Sequence, residues 1–225
     1  MIKHILLLLF FIHSLQGEES TALTALFTPP KEWHKNPTTA STSRVKTSFS
    51  IKTKKEFCPS INLIEEKVSS SIDKYIKTIQ KIYESDAETR FRRLGTLKTK
   101  AGIAHLISLD MENSLGKIRV LQSIFLQEGT AYILTGAVLQ EDFGLYQKDL
   151  IDSFKSFYLT PHLCDYVKNE EQQKILLTQI SNLLSSSQHW ETFKRVINQD
   201  FKEEGPYWQS LILEELEKKL PKSQN

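Results

Sequence analysis

Apolar and polar residues alternate along much of the chain from Arg44 onward, and this spacing is typical of strands with one face in a core. Two such runs, residues 45–51 and 60–68, flank a turn and predict a first pair of strands. Four more runs follow, and short turns separate them. These runs are residues 94–99, 102–110, 117–127 and 130–139. This order predicts an antiparallel meander.

Two segments next to these strands have apolar residues every three to four positions, which predicts helices with one buried face. The first covers residues 70–83 and lies between the two groups of strands. The second covers residues 143–158 and follows the last strand. Runs of strands separated by helices predict an α+β fold, in which helices pack on a central antiparallel sheet.

The last part of the chain, residues 166–220, predicts a C-terminal extension that is all helical. Its three helical patterns cover residues 169–184, 189–201 and 206–220. Their apolar faces must be buried against the sheet, within a small helical bundle, or against another protein. If residues 18–165 already form a complete sheet domain, the extension is separable. Trp190 and Trp208 are then candidate partner-binding residues.

The first residues, 1–17, have the features of a signal peptide: a positive start, an apolar run and small residues at a cleavage point. The alternative is a membrane anchor. An anchor needs about twenty apolar residues, and His13 and Gln16 interrupt this run too early. We therefore expect an exported protein, periplasmic or secreted, with no transmembrane span after cleavage. Residues 18–44 contain three prolines and a Ser/Thr-rich stretch, which predicts a segment that is mostly loop.

Charge and cysteine content limit the partners and suggest one covalent link. The 29 Lys and Arg residues nearly balance the 27 Asp and Glu residues, so we expect no nucleic-acid partner. Cys58 and Cys164 are candidates for a disulfide, because a pair of cysteines in an exported chain tends to oxidise. Two free buried thiols are the alternative.

The search for catalytic and metal-binding motifs finds little. Ser71 and Lys74 match an S-x-x-K motif, but its companion elements are absent and the serine fits a helix N-cap. His162 and Cys164 supply only half of a zinc site. We therefore expect no catalytic residue, no metal site and no cofactor.

Three elements of the chain together resemble the PsbP-like family, which includes the bacterial DcrB-like proteins. They are a Pro-x-x-Trp element at residues 30–33, a Lys-Thr-x-x-Gly strand entry at 98–102, and an aromatic-aliphatic strand with an Asp-Phe loop and closing helix at 132–154. The resemblance covers about residues 25–160. It implies an α/β/α sandwich around a central antiparallel sheet, here residues 45–160.

Members of this family mostly act by docking on larger assemblies. The resemblance therefore implies an exported, non-catalytic accessory or binding protein of the bacterial envelope or secreted space, which docks on a protein partner. The alternative is a hydrolase of unfamiliar type, whose site is assembled only by the fold. A cleft where titratable groups with perturbed pKa values converge would favour the hydrolase, and a broad apolar surface without them would favour docking.

We expect the mature chain to begin at or near Glu18, because the small residues before it provide a cleavage point for export. N-terminal sequencing of the exported protein checks this. A mature chain that still begins with Met1 would contradict it.

Overall fold

The computed structural model describes residues 23–37, 44–185 and 190–220, where the chain forms nine strands and five helices. The predicted signal peptide lies outside these residues. The strands are β1 (Thr24–Leu26), β2 (His34–Lys35), β3 (Val45–Ser50), β4 (Ser60–Lys67), β5 (Arg90–Lys98), β6 (Ile103–Asn113), β7 (Gly116–Gln127), β8 (Thr130–Leu139) and β9 (Tyr158–Thr160). The helices are α1 (Ile72–Glu84), α2 (Phe143–Lys155), α3 (Glu170–Ser185), α4 (Trp190–Asp200) and α5 (Gly205–Lys219). None of these helices has the length and hydropathy to cross a bilayer.

Seven of the strands form one antiparallel sheet in the order β2-β3-β4-β8-β7-β6-β5, with helices packed against it. The predicted α+β class, with a central antiparallel sheet and a helical C-terminal part, is confirmed. The predicted meander corresponds to β5–β8. The N-terminal segment, which was expected to be mostly loop, contributes β2 to this sheet and β1 to a separate pair with β9.

The two faces of the large sheet are covered by different elements. On the face that we call the α1 face, Tyr75 and Ile76 of α1 pack with Ile107, Ile124 and Ile133. The opposite face, which we call the core face, carries the largest hydrophobic cluster. Residues from α2, the N-terminal segment and all three C-terminal helices complete that cluster.

Helix α2 lies very close to the core face because β8 has a glycine at the point of contact. A Cβ atom at Gly136 would stand 2.6 Å from Cδ2 of Leu150, a side chain that is fully buried. The helix could not approach this closely over any larger residue, since a close-packed core cannot absorb an extra methyl group without shifts.

The motifs that resemble the PsbP-like family have structural roles here. Trp33 is buried, and its ring lies 6.1 Å from that of Tyr146 on α2. In the turn between β5 and β6, the backbone N–H of Ala101 donates to the Phe157 carbonyl at 2.9 Å. These contacts tie the N-terminal segment and the turn to α2 and to the residue that precedes β9.

The C-terminal helices belong to the same hydrophobic core as the sheet. The ring of Tyr207 on α5 lies 6.1 Å from Phe49 of β3 and 5.4 Å from Phe27. The indole Nε1 of Trp208 donates to the Leu163 carbonyl at 2.8 Å. Of the fates that the sequence left open for these apolar faces, the structure combines two: α5 packs on the sheet through Tyr207, and it packs on α4, where Gln209 donates to the Ile197 carbonyl at 2.9 Å.

This packing does not fit a separable extension. A single hydrophobic core continues across the boundary near residue 166, so the extension has no core of its own. Trp208 is only 1% exposed, so its ring fills the core and offers a partner no surface. Trp190 is different. It is partly exposed on α4 and stacks on Phe193, with ring centroids 6.0 Å apart.

An ion cluster joins three strands at the β5 side of the core face. Asp110 of β6 accepts hydrogen bonds from Nε and Nη2 of Arg119 on β7, at 2.7 and 2.9 Å. Arg92 of β5 donates to the same carboxylate. The Arg119 guanidinium also lies 4.8 Å from the Phe143 ring centroid, at the start of α2. Hydrogen bonding from Arg119, followed by the charges of both arginines, holds the pKa of Asp110 below its ordinary value.

We expect Trp208→Ala to lower the free energy of unfolding by about 3 to 5 kcal/mol, because it leaves a large cavity and an unpaired carbonyl at Leu163. Trp190→Ala is the matched control and should cost much less, since that ring is partly exposed. Urea denaturation of the two variants checks this, and equal losses would contradict it.

We expect Asp110→Asn to lower the free energy of unfolding near pH 7 by about 1 to 3 kcal/mol, because charge-assisted hydrogen bonds are lost. Since the folded-state pKa of Asp110 is depressed, the carboxylate stabilises the fold above its unfolded-state pKa. That stabilisation is lost as the pH falls through the folded-state pKa. The gap between wild type and variant should therefore close in acid.

Urea denaturation of both proteins over a series of acid pH values measures this gap. The control is Asp149→Asn, which changes an exposed carboxylate on α2. A gap that is constant with pH would contradict the assigned role of Asp110.

Candidate functional site

A groove of about 210 Å³ runs along one side of α1 on the α1 face. Its floor is formed by β4, β8 and β7, and α1 forms one wall. We call it the α1 groove. Its lining residues are Arg44, Ile64, Glu66, Tyr75, Ile79, Ile82, Tyr83, Gln122 and Ile133.

The groove exists because α1 covers only part of its sheet face. The helix begins after β4, in the middle of the sheet, and ends before β5, at one edge, so it crosses the face obliquely. Tyr75 and Ile76 lie under the helix and are buried. Ile82, two turns further on, is 63% exposed at the open side of the groove. On the β3 side, Ser48 and Asn62 are only half-buried.

A row of polar side chains crosses the floor beside α1. Ser48, Asn62, Thr135 and Gln122 are direct neighbours in the register of β3, β4, β8 and β7. Nε2 of Gln122 donates to Oγ1 of Thr135 at 3.2 Å. No described group donates to the buried Oδ1 of Asn62. Burying polar side chains without hydrogen-bond partners is unfavourable. A polar row is therefore more suitable on a sheet face that stays hydrated or meets a partner than on a face sealed by its own chain.

One end of the groove carries opposite charges around a tyrosine. The Tyr75 hydroxyl donates to Oε2 of Glu66 at 3.2 Å. Burial, and then the negative charge of Glu66, raises the pKa of Tyr75 above its ordinary value, while the nearby Arg44 acts in the opposite direction. Tyr75 therefore remains a neutral phenol at physiological pH.

The groove combines apolar and polar side chains. Four of its nine lining residues are isoleucines, and Gln122 supplies amide groups at the floor. The lining contains no serine, cysteine or histidine to serve as a nucleophile or its base. Among the described residues, no group of three or more His, Cys, Asp or Glu side chains could hold a metal ion.

The two cysteines are free thiols in the structure. Cys58 is exposed, and the neighbouring Phe57 packs on the α1 face. Cys164 packs against the cluster on the opposite, core face. Burial raises the pKa of the Cys164 thiol to about 11, so this side chain is a protonated, unreactive thiol at neutral pH. The structure therefore does not bring the predicted disulfide pair together.

The other residues singled out from the sequence do not meet in the groove. Ser71 precedes α1 without a side-chain capping bond, and Lys74 is exposed on the helix. Trp190 lies on α4, which packs on the opposite side of the sheet.

The residues of the groove were missed because they come from five separate stretches of sequence. One sequence feature could have pointed to them. In β7, Gln122 occupies an inward position between Val120 and Ile124, where the alternation calls for an apolar residue. A buried amide in such a row is a departure from the pattern of a sealed core.

No family model matches the chain, and a search of curated proteins found no match. Among solved structures, the chain is similar to the cyanobacterial PsbP of Synechocystis sp. PCC 6803, with 10% identity and a TM-score of 0.44 over 64% of this chain and 96% of that one. It is also similar to LpqN, involved in cell envelope biogenesis of Mycobacterium tuberculosis, with 12% identity and a TM-score of 0.48 over 64% of this chain and 87% of that one.

A third similar structure is PA94 of Pseudomonas aeruginosa, a protein of unknown function, with 10% identity and a TM-score of 0.39 over 64% of this chain and 87% of that one. The first of these structures is a PsbP, the protein that gives its name to the family that the sequence motifs resemble. At these identities the resemblance extends to the fold alone.

Proposed function

We propose that this protein is an exported, non-catalytic accessory protein of the bacterial envelope or secreted space, and that it docks on a protein partner through the α1 groove. The observation that carries the proposal is the exposure of Ile82, 63%, at the mouth of a groove with aliphatic walls. A partner side chain that enters this groove would remove several isoleucine surfaces from water at once.

The shape and charge of the groove support a protein as the occupant. On the β3 side of the groove, the polar side chains of Ser48 and Asn62 are half-buried. An interface commonly combines a buried apolar centre with a polar rim, and this surface has both. Arg44 and Glu66 at one end provide a charged boundary that can orient the partner.

The gain from filling the groove is sufficient for a central contact. Burial contributes about 0.8 kcal/mol per CH₂ group, so a leucine-sized side chain from the partner gains about 2 to 3 kcal/mol. Central apolar contacts of this size are those whose loss weakens an interface most.

The test uses Ile82→Asp, which places a charge at the mouth of the groove without touching the core. We expect this variant of the mature protein to lose about tenfold or more of its partner capture from envelope extracts, measured by chemical crosslinking and quantitative mass spectrometry. Its thermal unfolding should remain close to that of the wild type, because Ile82 is mostly exposed.

The matched control is Ile175→Asp. Ile175 is also an exposed isoleucine, 43%, but it lies on α3. The Ile175→Asp variant should capture the same partner as the wild type, to the same extent. If Ile82→Asp and Ile175→Asp retain capture equally, the groove is not the docking surface.

A further inference from the structure

The two edges of the seven-stranded sheet differ in length and in cover. At one edge β2 has only two residues. Its Lys35 forms an ion pair with Glu214 of α5 at 2.9 Å and also donates to Oγ of Ser210. At the other edge β5 has nine residues, of which six are exposed. One edge is therefore short and covered, and the other is long and open.

The open edge is strongly basic. Strand β5 carries four cationic residues and no acidic one. They are Arg90, Arg92, Arg93 and Lys98. Two of them are held by their own chain, since Arg92 pairs with Asp110 and Arg93 donates to Oε1 of Gln80 at 3.0 Å.

The other two cations are available at the ends of the strand. Arg90 and Lys98 are exposed, and neither forms an ion pair within the described part of the chain. Beside them, Leu94 is 49% exposed and Ile103, the neighbour of Lys98 on β6, is 58% exposed. The edge thus offers both charge and apolar contact.

We propose that β5 accepts an extended acidic segment of a protein partner as an additional strand of the sheet. The inference rests on the proposed function, that the protein docks on a protein partner, and it names a second surface and the chemistry of what binds there. An edge strand has N–H and C=O groups that point outward at alternate residues, and a second strand can pair with them. Acidic side chains would then stand opposite the cations of β5.

The same cations exclude a second copy of this chain at the edge. Two β5 strands paired edge to edge would place arginines and lysines against one another, which is unfavourable. The backbone of β5 alone would accept either a second copy of the chain or an acidic segment. The positive charge of β5 favours the acidic segment.

Protection of the edge is the competing explanation. Strand β5 has a register shift between Arg93 and Gly95, and bulges and charges both keep edges from aggregating. If protection is their whole purpose, no strand binds at this edge, acidic or basic. Binding of a short acidic strand decides between the two explanations.

The probe is a synthetic peptide of about eight residues with glutamate at each end and valine and threonine between, so that its carboxylates lie on both faces of the strand, as Arg90 and Lys98 do. We expect it to slow amide hydrogen exchange in β5 of the full mature chain, with an affinity that falls as salt is added. Two control peptides should not protect β5. One has lysine in place of glutamate, and the other keeps the glutamates but has N-methyl groups on the amides of one edge.

A pair of charge variants tests the role of β5 itself. We expect Arg90→Glu with Lys98→Glu to weaken peptide binding about tenfold, because attraction becomes repulsion. Lys52→Glu with Lys54→Glu changes the net charge equally, in the exposed stretch between β3 and β4, and should change binding by less than about twofold.

Three results would overturn the inference. They are no protection of β5 at millimolar acidic peptide, equal binding of the N-methylated peptide, and a dimer of the mature chain that depends on β5.

The outcome is separate from that of the groove, because Ile82→Asp should leave peptide binding unchanged. Partner capture that depends on Ile82 without peptide binding would leave the docking proposal standing and remove this one. Peptide binding without such capture would leave docking at β5 standing and remove the α1 groove as the docking surface.

Discussion

The contact among three aromatic rings on the core face is the one on which the rest of the structure depends. Phe49 of β3 is fully buried, and its ring meets Phe27 at 5.9 Å and Tyr207 at 6.1 Å. These rings come from the sheet, from the N-terminal segment and from the last helix. Because none of the three can bury its ring alone, the segment that carries Phe27 and helix α5 must come together over the β3 side of the sheet.

This closure leaves the two sheet faces unequal. The core face is covered by α2, the N-terminal segment around Phe27 and the C-terminal helices, whereas the opposite face is covered only in part by α1. The polar row and the exposed side of α1 then form a groove that nothing in the described chain fills. The same closure shields β2 through Lys35 and Glu214, and the edge at β5 stays open. Both surfaces that we propose for partners thus follow from where the C-terminal helices pack.

The elements themselves could be predicted because each depends on local spacing. The predicted helices after residue 166 agree with α3, α4 and α5 to within one residue at each end. Asn169, the first residue of the first predicted helix, caps α3 by accepting a hydrogen bond from the Gln172 backbone N–H at 3.0 Å. Helical and strand periods are properties of consecutive residues, so they can be read without knowing the fold. The closing helix was predicted too long, because Phe157 and Tyr158 continue its apolar character into the start of β9.

The sequence by itself thus determined the class of fold, the order of helices and strands, and which face of each helix is apolar. Only the tertiary structure decided what covers each face. Trp190 and Trp208 have the same signature in the sequence, yet one is partly exposed and the other is sealed against Leu163. Likewise, no local pattern could place Arg44 beside Tyr75, or β4 beside β8. Periodicity shows that one face of a helix or strand must be buried. Which other surface buries that face is decided by contacts between residues far apart in the chain.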